Sequence, residues 1–143
     1  MSDKKIKVVV SGYFNPLHVG HLEMISKAKS LGSHLIVIVN NDIQVKIKGS
    51  YPFMNEKDRL KIIKSLKDVD EVFLSIDKDE TVCESLKVIQ PEIFANGGDR
   101  KNINDVPEYK ICKSLNIKMV DGLGKKTRAS SDMITEAKKH KTL

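Results

Sequence analysis

The sequence predicts an α/β fold: a doubly wound, five-stranded parallel sheet flanked by helices. Three observations predict it. Short apolar runs alternate with helical patterns almost from end to end. The runs are continuously apolar and rich in Val and Ile, without the polar alternation of a sheet that faces water on one side. Each run is separated from the next by a segment with helical character, long enough for a crossover. Right-handed crossovers then place helices on both faces of the sheet. In such sheets ligands bind beyond the carboxyl ends of the strands, near the switch in strand order.

The elements follow in order. Residues 6–10 (IKVVV) read as a buried strand, being β-branched throughout. In residues 21–32 (HLEMISKAKSLG) the spacing puts Leu22, Ile25, Ala28 and Leu31 on one helical face, and Gly32 ends the helix. Residues 34–39 (HLIVIV) form a second buried strand. Residues 40–52 (NNDIQVKIKGSYP) are too lysine-rich and punctuated to read as core. Residues 55–67 (NEKDRLKIIKSLK) read as a helix capped by Asn55, with Leu60, Ile63 and Leu66 facing inward. Strand 71–76, helix 80–89, strand 92–96, helix 107–116, strand 117–121 and a last helix, 130–140, complete the pattern. With neither repeat nor linker, the 143 residues form a single domain spanning 1–143.

Composition narrows the class. The chain is 40% hydrophobic and 31% charged, as a folded globular protein is. It has no apolar run of the roughly 18 residues a membrane span needs, and MSDKKIK leads into a strand and not a signal peptide. A cytoplasmic protein is the expectation. Cys83 and Cys112 lie in apparent helices without C-x-x-C spacing and read as buried or idle thiols. A formal net charge of +6 invites an acidic partner, nucleic acid or a phosphorylated small molecule. Aromatic residues make up only 5% of the chain, few for a platform that stacks single strands.

The chemistry concentrates in SGYFNPLHVGHLEMI, residues 11–25. Gly12 allows a sharp turn out of the first strand and a close backbone approach to a ligand. Pro16 fixes the loop, and Gly20 removes a side chain where a helix begins. A helix start offers unpaired N–H groups and a positive dipole end, together an anion site. His18 and His21, three residues apart, project toward that end and supply N–H donors without a permanent positive charge. Half of a zinc site is the rival reading, but no Cys or His set completes it. Ordinary histidines are another, although two of only four flank one glycine here. No G-x-G-x-x-G follows the first strand, and no Walker A string exists.

GYFNPLHVGH resembles the H-x-G-H signature of the cytidylyltransferase-like nucleotidylyltransferases, whose fold is Rossmann-like. Residues 48–72 (KGSYPFMNEKDRLKIIKSLKDVDEV) resemble the lysine loop and following helix of choline-phosphate and glycerol-3-phosphate cytidylyltransferases. Residues 39–49 and 75–100 are closer to the heptose-1-phosphate adenylyltransferases. RASSDMI, residues 128–134, is similar to the Ser/Thr pair that opens the superfamily's final helix.

The resemblance implies transfer of CMP or AMP from CTP or ATP to a phosphorylated small-molecule acceptor, with release of pyrophosphate. The acceptor oxygen attacks the α-phosphorus in line, a reaction governed by alignment and charge stabilisation. By resemblance, His18, His21 and Lys48 are catalytic, holding the α- and β-phosphates and the reacting centre. Gly12, Tyr13, Phe14, Asn15 and Gly20 belong to the nucleotide loop, with backbone amides near Tyr13 and Phe14 assisting. Arg59 matches an arginine that positions triphosphate, and Gly98 and Asp99 lie where the family contacts base or ribose. Lys125, Arg128, Ser130 and Ser131 mark the phosphate site at the last helix. Lys46 is assigned to the acceptor phosphate. Solvated lysines, a solvated helix face for Arg59, a plain Gly-Gly turn at Asp99 and simple capping by the serines are the bland readings beside these. The protein supplies no metal site; Mg²⁺ arrives on the nucleotide phosphates. A homodimer is the assembly seen among relatives.

Departures from the family pattern bear on the base. Asn15 stands where cytidylyltransferases carry aspartate, KKTRASS replaces R-T-x-G-I-S-T, and GGDR replaces GDD. The middle segment leans slightly to CTP over ATP. Two other classes stay open: a basic nucleic-acid-binding module using the lysines of KKIK, KGSYP and AKKHK, and a catalytically silent nucleotide-binding protein.

Overall fold

A computed structural model describes residues 5–96 and 106–121. Its elements run β1 (Lys7–Gly12), α1 (Val19–Lys29), β2 (His34–Val39), α2 (Asp42–Ile47), α3 (Glu56–Lys64), β3 (Glu71–Leu74), α4 (Cys83–Ile89), β4 (Ile93–Ala95), α5 (Tyr109–Ser114) and β5 (Lys118–Val120). The strands form one five-stranded sheet in the order β3-β2-β1-β4-β5. Every pairing is parallel, and Val9 of β1 lies between Ile36 of β2 and Phe94 of β4. The chain thus builds outward on one side of β1, then crosses to the other. The switch in strand order falls beside β1, whose carboxyl end opens into the histidine loop.

The continuous apolar strands earn their burial on both faces. Val8, Val10, Leu35, Val37 and Val39 pack with Ile25 and Ala28 of α1 and Ile63 of α3. The intervening residues Val9, Ile36 and Ile38 pack on the opposite face with Leu86 of α4 and Cys112 of α5. Each fully buried Val, Leu or Ile side chain contributes about 1.5–3 kcal/mol relative to exposure. Both cysteines are free thiols. Burial, with Glu108 second, pushes the Cys112 thiol up to about 12, so it stays protonated.

Three sequence expectations need correction. Leu22 is 41% exposed and does not face the core. The inward stripe of α1 is instead Met24, Ile25 and Ala28, and that rotation carries His21 to the protected side. Gly32 does not end α1 with a left-handed cap; α1 closes at Ser30 in right-handed geometry. Gly32 is instead a close-approach position, since a Cβ there would sit 2.7 Å from the Ile6 carbonyl oxygen. Finally, residues 40–52, too lysine-rich and punctuated to read as core, do reach it in part. They contain α2, with Gln44 and Val45 fully buried.

That short helix is held by polar groups, which is why its composition hides it. Asn41 caps the Gln44 amide at 2.9 Å, and the Gln44 side chain returns to the Asn41 N–H at 3.0 Å. The remaining amide protons are also placed: Asn41 donates to the Ser75 and Asp77 carbonyls, and Gln44 to those of Asp79 and Thr81. Buried amides so satisfied cost little and fix the β3–α4 loop against α2.

Candidate active site

The loop between β1 and α1 is built tightly. Phe14 adopts φ +51°, unusual for a bulky side chain, and its ring is buried. A Cβ at Gly12 would meet that ring at 2.7 Å. The glycine therefore makes room for the Phe14 ring. The Phe14 ring in turn meets His21 edge-on, with centroids 4.9 Å apart. A left-handed Phe, a glycine beneath it and an imidazole at its edge thus form one stack at the carboxyl end of β1.

The two histidines cap their own helix. His18 is the N-cap of α1, and its Nδ1 accepts the Gly20 N–H at 3.1 Å. The Nδ1 of His21 accepts the His18 N–H, also at 3.1 Å. This is a capping box in which imidazoles replace the usual Ser and Glu. A ring nitrogen that accepts from a backbone N–H carries no proton, so the neutral ring has its proton on Nε2. The rings stack at 3.7 Å between centroids. Capping thus fixes the tautomer of both rings and leaves an Nε2–H donor on each of two rings stacked at 27°.

Electrostatics favour the same state. Burial pushes the His21 pKa down to about 4, with His18 and then Lys48 adding to the effect. Burial also lowers that of His18. Both are neutral donors near neutral pH. The sign for stability follows: the unfolded chain protonates His21 near 6.5, while the folded chain resists until about 4. Its contribution is fully present above pH 6.5 and is lost as pH falls from there toward 4. Protonation also removes the lone pair that accepts the His18 N–H. The acid limb that His21 contributes to kcat/KM, which reports the free enzyme, is therefore expected near pH 4; a His21-dependent limb at 6.5 or above contradicts this assignment.

Lys48 completes the cluster. It closes α2 as its C-cap, and its ammonium sits 4.2 Å from the Tyr13 ring centroid. Burial, then Glu80 and Glu108, raise the Tyr13 pKa and keep that phenol neutral. His18, His21, Tyr13, Phe14, Gly20 and Lys48 are thus brought together. Lys46 is exposed on the last turn of α2. Gly98, Asp99, Lys125, Arg128, Ser130 and Ser131 lie outside the described residues.

Arg59 departs from expectation. It is fully buried, not on a solvated helix face and not open to a triphosphate. Its Nε donates to the Met54 carbonyl at 3.0 Å. One Nη donates to the carbonyls of Tyr13 and Asn40 at 2.8 and 2.6 Å, and the other to Asp42 Oδ1 at 2.7 Å. The guanidinium ties the histidine loop, the end of β2, the start of α2 and the segment before α3 together. It is a positioning residue. Its place four residues before inward-facing Ile63 was the available signal.

Asn15 also acts differently from a phosphate ligand. Its side-chain amide donates to the Tyr51 carbonyl at 2.7 Å and accepts the Phe53 N–H at 2.9 Å. It pins residues 51–53 to the histidine loop. A buried carboxylate, Asp77, was missed by the sequence reading altogether. It accepts from the Glu84 and Ser85 amides and the Ser85 hydroxyl, capping α4 across the β3–α4 loop. Among the described residues no group of three or more His, Cys, Asp or Glu is placed to hold a metal ion. No helix among them is long and apolar enough to cross a membrane.

Comparison with known proteins bears on this site. The cytidylyltransferase-like family model matches residues 9–137. The chain is 35% identical to an FAD synthase of Pyrococcus horikoshii over 139 residues, covering 94% of this chain and 93% of that one. It is 41% identical over 122 residues to the bifunctional protein HldE of Aliarcobacter butzleri, covering 83% of this chain but spanning only 25% of HldE. A crystal structure of a lipopolysaccharide core biosynthesis protein from Thermoplasma volcanium superposes with a TM-score of 0.70 at 28% identity, covering 82% of this chain and 96% of the other.

Proposed function

The chain belongs to the cytidylyltransferase-like family of nucleotidylyltransferases, and from that premise we propose that it transfers AMP from ATP to flavin mononucleotide, forming FAD and pyrophosphate. The observation that carries the transfer chemistry is the stacked pair of neutral imidazoles at the carboxyl end of β1. Their Nε2–H groups donate to oxygens of the α- and β-phosphates, and the Lys48 ammonium adds positive charge beside them. An acceptor phosphate oxygen forms a bond to the α-phosphorus as the bond to the β-phosphate bridge oxygen breaks. Donors already oriented by helix capping need no reorganisation as charge develops. The donor set is two imidazoles and an ammonium, suited to phosphate oxygens. Mg²⁺ would be carried by the triphosphate and would neutralise its charge beside these donors.

The choice of nucleotide and acceptor rests on relatives. The FAD synthase match extends over nearly the full length of both chains, and the second half of FAD is AMP, which favours ATP over the earlier lean to CTP. A sugar phosphate is the second reading, supported by the HldE match and the lipopolysaccharide-related structure. Pyrophosphate release is the test, with ATP and CTP each crossed with flavin mononucleotide, a heptose 1-phosphate and glycerol 3-phosphate. FAD formation with ATP is expected. Turnover with CTP alone, or with no acceptor of this set, overturns the proposal.

A further inference from the structure

We propose that Tyr51 and Phe53 form the platform on which the planar ring system of the acceptor stacks, a specificity determinant that rests on the flavin reading above. The chain has seven Phe and Tyr residues, four and three, and spends two of them in one exposed loop. Tyr51 is 71% and Phe53 64% exposed, so neither is held in place by the core. Their rings lie 6.0 Å apart at 76°, an edge-to-face pair that leaves ring faces open. Two exposed aromatic rings paired in one loop form a contiguous apolar surface that a stacking partner would cover.

The loop is aimed by the active site itself. Asn15, three residues before His18, binds the Tyr51 carbonyl and the Phe53 amide, and also approaches the Met54 amide at 3.5 Å. At its other end the loop leaves Lys48 through Gly49, whose φ of +87° suits glycine. The Ser50 amide returns to the Val45 carbonyl at 3.1 Å. One short segment therefore runs from the reactive ammonium to the aromatic pair, tethered to the loop that carries the imidazoles. Lys48 lies three and five residues before Tyr51 and Phe53 on one loop, and a phosphate with a planar ring system joined to it by a ribityl chain is what flavin mononucleotide offers. A sugar phosphate has no ring of this kind to stack.

The test is the double variant Tyr51→Ala/Phe53→Ala in the full chain, with Tyr51→Phe/Phe53→Tyr as the conservative partner. Flavin mononucleotide fluorescence and steady-state pyrophosphate release are measured in each. Wild type is expected to quench flavin fluorescence by stacking. The alanine variant should lose that quenching and raise KM for flavin mononucleotide on the order of 10- to 100-fold, with kcat and KM for ATP within about twofold, and the conservative variant should restore both. If wild type makes FAD and the alanine variant matches it in quenching and KM, the platform is overturned while the flavin reading stands. If wild type uses only a sugar phosphate and does not quench the flavin, both fall. A variant that changes oligomeric state with unchanged flavin KM assigns the rings to a self-interface and likewise overturns the platform.

Discussion

His21→Ala is expected to lower kcat for pyrophosphate release by about 10²–10³, the usual loss on removing one preorganised donor from a developing charge. The expectation has a specific structural basis. The His21 Nδ1 is occupied by the His18 amide, so its only available donor is Nε2–H, stacked beside that of its neighbour. Alanine removes the donor and half of the capping box together. The second effect is separable, because a lost cap costs only about 0.5–2 kcal/mol of stability. Thermal unfolding should fall by a few degrees, while turnover collapses. KM for ATP should change less than kcat, since the interaction is strongest in the transition state. A folded His21→Ala protein turning over within about threefold of wild type would remove this residue from the mechanism.

Arg59→Met is expected to cost about 3–5 kcal/mol, the range for breaking a buried ion pair and its hydrogen bonds. The side chain fills a site with no exposure. Methionine leaves three carbonyls, of Tyr13, Asn40 and Met54, and the Asp42 carboxylate without that donor. The midpoint of thermal unfolding should drop on the order of 10 °C. Arg59→Lys should recover little, because one ammonium cannot reproduce a planar fork that meets four acceptors. This outcome separates a brace from a phosphate ligand. A ligand's loss would raise KM for the triphosphate and leave the unfolding midpoint where it was, and that result would contradict the positioning role.

The sheet was legible because its strands are buried on both faces, which a run such as HLIVIV states directly. The histidine loop was legible as a motif, though not as a device. The residue pattern places His18 and His21 at a helix start, but it cannot say which ring nitrogen the backbone occupies, and the tautomer depends on that. Helix α2 was hidden because Asn41 and Gln44 anchor it where apolar residues usually would, leaving lysines to dominate its appearance. Asn15 looked like part of a phosphate loop. Its partners are 36 and 38 residues away, beyond any local signal. Arg59 matched a triphosphate-positioning arginine, with a solvated helix face as the plainer reading; buried arginines are rare, although its spacing from Ile63 put it on the inner face.

The central claim is that backbone capping at Nδ1 holds His18 and His21 as neutral Nε2–H donors facing a triphosphate. Nitrogen-15 NMR of the two rings near neutral pH reads this directly, since protonated and bare ring nitrogens differ in chemical shift and coupling. The expected spectrum has Nδ1 bare and Nε2 protonated in both residues. A proton on Nδ1 of either ring, or an imidazolium at that pH, would contradict it.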